Sequence, residues 1–436
     1  MTITIVGHGY VGLVTACVFA HFGNTVWVIG RNPEKLKRLK GGDPIIFEPG
    51  LEELLKKNLS AGRILFTDAY DQAIPASEIV FTAVGTPPKA KGEADLSMVL
   101  QVAENIGRNL RTGYTVVSCK STVPVGTNLE VKKVIDSVKP DGAEVDVASC
   151  PEFLREGTGI NDTLYPDRVV IGTQSQKAAE LLLRLHEPLP GTRVVTDLAS
   201  AELIKYASNA MLATKISFAN LMSFYCEACG ADVEEVLEAV GLDARIGREF
   251  LYPGLGYGGS CLPKDVKAIV TTGMSLNIDT ALLDAVEEVN IQAKQNFIRK
   301  IFRHIAGKRV ALWGLAFKPD TDDIRFAPSL DVLDALLKEG YDVHVYDAEA
   351  MDNIRLQYHD KITYHTSAYD AVKSADGLCI LTEWNEFKNA DLEKVKSLLA
   401  SPVIIDGRNL YRPDKMQELG FTYISTGRVP VTGTPK

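Results

Sequence analysis

Short apolar, β-branched runs alternate with amphipathic helical stretches through the first third of this chain, and the alternation returns in the last third. In the first block the runs lie at 3–6, 25–29, 64–66, 79–84, 115–118 and 145–148, with helical patterning at 11–22, 51–59 and 96–110. Strands separated by helices pair in parallel through right-handed crossovers, so the block predicts a doubly wound sheet. Runs at 168–172 and 192–196 are expected to extend it. The second block has strand-like runs at 309–313, 341–346, 377–381 and 402–405. Between the blocks, from about Leu198 up to Gly230, the chain carries neither Pro nor Gly, which predicts one long helix or two joined ones. Further helical patterning follows at 233–240 and 280–304.

The expected class is therefore α/β, with two Rossmann-like doubly wound domains joined by a long central helix and a helical connector. The expected spans are 1–197, 198–306 and 307–436, in line with about three domains for 436 residues. Lys plus Arg total 47 against 56 Asp plus Glu, a net charge of −9, which argues against a nucleic-acid partner. No apolar stretch reaches the roughly 18 residues a bilayer requires, so no membrane partner is expected. The first residues carry no charged leader, and the seven cysteines are odd in number and scattered, which points to reduced thiols in a cytoplasm. Residues 429–436 are expected to form a flexible tail.

The first run leads straight into Gly7-His8-Gly9-Tyr10-Val11-Gly12 and then a helical pattern. Glycines at this spacing permit a tight turn, close approach to a pyrophosphate and tight helix–strand packing, with the helix N-terminus facing the anion. The bland alternative is a glycine-rich turn without a ligand; His8 on such a loop would mostly face solvent. After the second run, an enzyme that uses NAD usually carries Asp or Glu for the ribose hydroxyls. This chain has Gly30 and then Arg31, and an arginine there accommodates a 2′-phosphate. We expect NADP to be used at least as well as NAD; a surface arginine on an NAD enzyme is the plainer reading.

Residues 254–265 read Gly-Leu-Gly-Tyr-Gly-Gly-Ser-Cys-Leu-Pro-Lys-Asp. Cys261 precedes a helical run and has Lys264 close by. A helix dipole and an ammonium both favour thiolate, the nucleophilic form. A buried structural cysteine in a tight turn is the alternative. Cys226 and Cys229 form a C-x-x-C with no second pair, and the seven histidines lack ligand spacing, so no metal is expected. Lys205 and Asn209 stand four apart on one helix face in an otherwise apolar segment, where both can donate to one developing oxyanion. A solvated polar stripe is the bland reading.

Together these motifs resemble the UDP-glucose/GDP-mannose dehydrogenase family of nucleotide-sugar 6-dehydrogenases. The matching stretches run along essentially the whole chain: GHGYVG at 7–12, EPGLEELL at 48–55, GTPPKAKGEADLS at 85–97, STVPVGT at 121–127 and PEFLREG at 151–157. AELIKYASNA at 201–210, RIGREFL at 245–251, GYGGSCLPKD at 256–265, GLAFKPDTDD at 314–323 and DGRNLY at 406–411 follow. EPGLEELL, IGREFL and the C-terminal runs look more like the UDP-glucose branch than the GDP-mannose one. Gly30 departs from the family's acidic residue, and Phe326-Ala327 replaces a common Glu-Ser; nothing in the sequence explains the second change.

The resemblance implies a nicotinamide cofactor on the first domain and the nucleotide part of UDP-glucose, or of a related nucleotide sugar, on the second. Oxidising a primary alcohol to an acid removes two hydrides, and a thioester on Cys261 would hold the sugar between them. By resemblance, Lys205 and Asn209 stabilise oxyanions, Asp265 and Thr122 hold a water, and Glu152 and Glu156 help move protons. Val84, Gly85, Thr86, Thr122, Glu156, Lys264 and Arg325 join Gly7, Gly9, Tyr10, Val11, Gly12, Gly30 and Arg31 around the cofactor. Glu152, Phe153, Leu154, Lys205, Asn209, Phe250, Tyr252, Gly258, Lys318 and Arg408 are assigned to the sugar nucleotide. Arg245 matches an arginine that reaches the neighbouring subunit's sugar, so a homodimer is expected. A two-electron β-hydroxyacid dehydrogenase shares the Lys-x-x-x-Asn helix but neither the cysteine loop nor a second α/β domain. A silent dinucleotide sensor would have no reason to keep Cys261, Lys205, Asn209 and Asp265.

Overall fold

The structure is a computed structural model that describes residues 1–90 and 92–433. It falls into two compact units. Unit 1 comprises Met1–Ser208 with Lys267–Ser275, and unit 2 comprises Asn209–Val266 with Leu276–Lys436.

Unit 1 is built on an eight-stranded sheet: β1 (Thr2–Val6), β2 (Thr25–Ile29), β3 (Ile64–Thr67), β4 (Ile79–Thr82), β5 (Gly113–Cys119), β6 (Ala143–Ser149), β7 (Arg168–Gly172) and β8 (Thr192–Thr196), in the order β3-β2-β1-β4-β5-β6-β7-β8. The first six positions follow the doubly wound dinucleotide-binding order, which reverses between β1 and β4. Strands with helices on both faces must be apolar on both faces. Ile3 and Ile5 accordingly have no exposure, and neither does their neighbour Thr4, whose hydroxyl meets Ser77 Oγ at 2.7 Å. Burying each isoleucine contributes about 1.5–3 kcal/mol. The helix Tyr10–His21 is buried along nearly its whole length.

The sheet is not parallel throughout: β6 and β7 meet antiparallel, Ser149 opposite Gly172. The intervening chain is spent on a loop and the six-residue helix Gly159–Leu164, so it returns to the end of the sheet it left. The run expected at 79–84 stops as a strand at Thr82, since Val84 turns away and its carbonyl accepts from Ser121 Oγ.

Unit 2 carries a six-stranded, wholly parallel sheet: β9 (Arg309–Trp313), β10 (Asp342–Tyr346), β11 (Thr363–Tyr364), β12 (Gly377–Ile380), β13 (Val403–Asp406) and β14 (Thr422–Ile424), in the order β11-β10-β9-β12-β13-β14. This repeats the topology of the first six positions of the other sheet. Part of the tail expected to be flexible is ordered, because Val431 and Tyr423 exchange backbone hydrogen bonds at 2.9 and 3.1 Å. Residues 434–436 lie outside the described residues.

The Pro- and Gly-free segment forms one helix, Leu198–Cys229, of 32 residues, about 48 Å long at 1.5 Å per residue. It begins in the first unit and ends in the second. Val233–Gly241, Leu262–Ser275 and Ala281–His304 complete the helical connector.

Candidate active site

In unit 1, Gly7 adopts φ +119°, and a Cβ there would come within 2.4 Å of Ala83 O. A Cβ on Gly12 would meet Gly7 O at 2.1 Å, which is how closely the helix Tyr10–His21 packs on the end of β1. Gly9 caps that helix in extended conformation, and nothing lies within 4 Å of where its Cβ would be. The loop is thus tight behind and open in front at a helix N-terminus, an arrangement that lets an anion approach the backbone. Tyr10 and Val11 open the helix, and Tyr10 Oη accepts from Gly157 N at 2.7 Å. Gly157 N also donates to Glu48 Oε2 at 2.7 Å, which anchors the loop bearing Glu156. Thr86 Oγ1 donates to Thr122 O at 2.9 Å, so Val84, Gly85 and Thr86 are tied to the segment holding Thr122.

At the end of β2, the His8 ring does not face solvent as the sequence suggested. It is half-buried and lies against Gly30. Arg31 opens onto a cavity of about 490 Å³ walled by Met98, Leu100, Gln101, Glu104 and Val134. The sequence reading missed this cavity, because its walls come from the outer faces of two amphipathic helices, Ser97–Arg108 and Thr127–Val138.

A second cluster in unit 1 joins the PEFLREG loop to the long helix. Lys205 Nζ lies 3.1 Å from Glu152 Oε1, both side chains less than a tenth exposed. Leu154 N donates to Glu152 Oε2 at 2.7 Å. Lys205 Nζ sits 5.3 Å from the Phe153 ring, and the Arg168 guanidinium lies 3.8 Å from the same ring. Arg168 is a residue the sequence reading did not single out. Buried Lys120 donates to Cys150 O at 3.3 Å, and burial holds its pKa below the ordinary lysine value.

In unit 2, Cys261 is exposed and stands immediately before the helix Leu262–Ser275. Ser260 Oγ is 3.6 Å from its Sγ. One turn on, Asp265 has 1% exposure. Its Oδ2 accepts from Asn209 Nδ2 at 2.6 Å, and its Oδ1 pairs with Lys264 Nζ at 2.5 Å. A buried carboxylate survives only when paired and hydrogen-bonded; here both oxygens are.

The glycines before Cys261 are strapped by the chain itself. Asn290 takes Tyr257 N on its Oδ1 at 2.8 Å and donates to Tyr257 O at 3.2 Å. Gly254 N donates to Asn220 Oδ1, and Leu255 N to Gly407 O. Gly259 N donates to Arg325 O, and a Cβ on Gly258 would come within 2.2 Å of Phe326 O. Gly258, assigned by resemblance to the sugar nucleotide, and Gly259 are therefore closely packed by Phe317, Arg325 and Phe326. Asn220 and Asn290, both buried, were missed because an asparagine on an apolar helix face carries no motif.

Of the other expected residues in this unit, Arg408 Nε donates to Leu381 O at 2.9 Å and lies 3.2 Å from Glu383 Oε2. Asp406 beneath it accepts from Arg408 N and Leu410 N, and burial pushes its pKa up. Lys318 Nζ lies 5.7 Å from the Phe317 ring. Phe250 adopts φ +66°, and Arg248 covers the half-exposed Tyr252 ring at 4.5 Å. Arg325 pairs with Asp323 at 2.6 Å. Arg245 is not drawn into any of these clusters; its side chain is 89% exposed and forks onto Asp243. Among the described residues no group of His, Cys, Asp and Glu is placed to hold a metal, and no helix is long and apolar enough to cross a membrane.

Comparison with known proteins agrees along the whole chain. Signatures of the UDP-glucose/GDP-mannose dehydrogenase family match its NAD binding domain at residues 1–190, its central domain at 199–292 and its UDP binding domain at 311–413. The chain is 44% identical to UDP-glucose 6-dehydrogenase TuaD of Bacillus subtilis, covering 99% of this chain and 94% of that protein. It is also 44% identical to a UDP-glucose 6-dehydrogenase of Pseudomonas aeruginosa, covering 98% of each. A UDP-glucose dehydrogenase structure from Pyrobaculum islandicum superimposes with a TM-score of 0.91 at 38% identity, over 98% of both chains. A doubly wound nucleotide fold alone would leave the chemistry open, but matches to all three domains and to full-length relatives do not: the chain belongs to the UDP-glucose/GDP-mannose dehydrogenase family, whose members are nicotinamide-dependent oxidoreductases acting on nucleotide sugars.

Proposed function

We propose that this protein oxidises the C6 hydroxymethyl group of UDP-glucose to a carboxylate, with the sugar held on Cys261 between the two oxidations. The observation that carries the reading is the exposed Cys261 at a helix N-terminus, one turn from the buried Asn209–Asp265 pair and its Lys264 partner. The glycine cradle fits a dinucleotide, held by Gly7, Gly9, Gly12 and the end of the helix Tyr10–His21. When bound, the nicotinamide supplies the hydride acceptor for both oxidations, one molecule for each.

The chain's own residues do the rest. Lys205 and Asn209 stabilise the C6 alkoxide as the hydroxyl proton leaves to a water held by Asp265 and Thr122. Loss of the first hydride leaves an aldehyde, and the Cys261 sulfur then adds to its carbon. A C–S bond forms, and the carbonyl oxygen takes the thiol proton. Loss of the second hydride and of that proton leaves a thioester. Water attacks the thioester carbon, the C–S bond breaks, and the sulfur leaves as thiolate. Glu152 and Glu156 carry protons away. Lys318 and Arg408 neutralise the diphosphate, with Phe250 beside the nucleotide sugar. The balance is one alcohol, one water and two oxidised nicotinamides in, one carboxylate, two reduced nicotinamides and three protons out.

Gly30-Arg31 supports use of NADP at least as well as NAD. A homodimer is supported by exposed Met211, Phe218 and Tyr225, spaced by seven on the long helix, and by the exposed Arg245. Seven cysteines, none of them in a disulfide among the described residues, support a cytoplasmic setting. The test is a panel of UDP- and GDP-sugars with both cofactors, followed by absorbance of the reduced nicotinamide. The reading expects UDP-glucose to be preferred, with two cofactors reduced per sugar consumed. One cofactor per sugar, or a preference for GDP-mannose, contradicts it.

A further inference from the structure

The strand that ends nearest the adenosine ribose in a doubly wound domain ordinarily finishes on a carboxylate. Here β2 gives way to Gly30, which is buried. Gly30 does not lie in the left-handed region, so its backbone would accept any residue. Space forbids one. A Cβ on Gly30 would come within 2.2 Å of His8 Cδ2, 2.8 Å of His8 Nε2 and 2.9 Å of Leu36 Cδ2. The imidazole stands where an acidic side chain would have to pass.

The charges around that ring are positive. His8 has its pKa lowered, first by burial and then by the charges of Lys35 and Arg31. Arg31 also opens onto the 490 Å³ cavity, whose walls Met98, Leu100 and Val134 offer apolar surface suited to a purine face. The acid on that wall, Glu104, is engaged by Arg108 at 2.6 Å. A neutral imidazole, two cations and no carboxylate at the end of β2 itself are a poor match for a bare ribose and a good one for a phosphorylated ribose.

We propose that His8 and Gly30 form a steric interlock that sets cofactor choice. His8 fills the place of a ribose-binding carboxylate, and the 2′ position is left to Arg31 and Lys35, which bind a 2′-phosphate. The proposal rests on the nicotinamide-dependent reading above and names the residues that discriminate. It also accounts for the departure at Gly30 as half of a pair whose other half lies 22 positions earlier.

The experiment is equilibrium binding of NADH and NADPH to the full-length protein, followed by nicotinamide fluorescence with no sugar present. The wild type binds NADPH no more weakly than NADH. Arg31→Ala weakens NADPH at least about tenfold and moves NADH less than about threefold, since only the phosphorylated cofactor loses a charge-assisted contact. Gly30→Asp weakens NADPH without tightening NADH, because the new carboxylate meets the His8 ring. His8→Ser with Gly30→Asp releases it and tightens NADH at least about tenfold over Gly30→Asp alone, the scale of a charged hydrogen bond. The proposal is overturned if Gly30→Asp alone gains as much NADH affinity as the double variant, if Arg31→Ala weakens both cofactors equally, or if the wild type binds NADH more than about tenfold tighter. Binding needs no sugar, so failure of the UDP-glucose reading, no turnover of any nucleotide sugar, is a separate result.

Discussion

His186 has almost no exposed surface, and its ring lies edge-on to Phe19 at 5.2 Å. Burial, followed by the charge of Lys120, depresses its pKa to about 3. An unfolded histidine titrates near 6.5, so below that pH the unfolded chain takes up a proton that the folded chain refuses. The stability tied to this group is complete above pH 6.5 and drains away as the pH falls. Between pH 7 and 5.5 the loss is about 1 kcal/mol. Urea unfolding of the wild type should show that extra loss relative to His186→Gln; identical pH dependence in the two proteins contradicts the assignment. At this scale the sequence was legible where a residue type announces its chemistry. Cys261 beside a helix start and Lys205 four positions before Asn209 can be read off the string. His8 could not, because the contact that gives it meaning exists only once β1 and β2 pair side by side.

Among the elements, the long helix does more than span. Near its start Glu202, 3% exposed, accepts from Gly126 N at 2.7 Å, Asn128 N at 2.8 Å and Asn128 Nδ2 at 2.7 Å. It therefore caps the helix Thr127–Val138, whose own N-cap glycine provides no side chain. A carboxylate at a helix N-terminus also meets the favourable end of the dipole. Glu202→Ala leaves three donors unmet, two of them on buried Asn128, and should cost about 3 kcal/mol, lowering the melting temperature by about 5–10 °C. A shift within about a degree would refute the capping role. Strand positions and the one long helix were legible because buried strands are apolar on both faces and helix breakers are absent. The antiparallel join of β6 to β7 was not, since hydropathy carries no strand direction. Nor were β11 and β14, of two and three residues, too short to show a period.

At the scale of the whole molecule, the two sheets share one strand order and differ in what their second strands deliver. At the end of β10, Asp347 occupies the position of a ribose-binding acid. Its oxygens are instead committed to Leu315 N at 2.6 Å, Ala350 N at 2.8 Å and Trp384 Nε1 at 3.2 Å. The repeat is one of architecture and not of ligand, in keeping with matches to an NAD binding domain at one end and a UDP binding domain at the other. On the function proposed above, what makes a four-electron enzyme of two nucleotide folds is the covalent hold that Cys261 provides between oxidations. The direct test is Cys261→Ser incubated with UDP-glucose and excess cofactor, with products separated and weighed by mass spectrometry. The account predicts that formation of the acid falls at least about a thousandfold, leaving slow partial oxidation. Acid produced by that variant at the wild-type rate would contradict it.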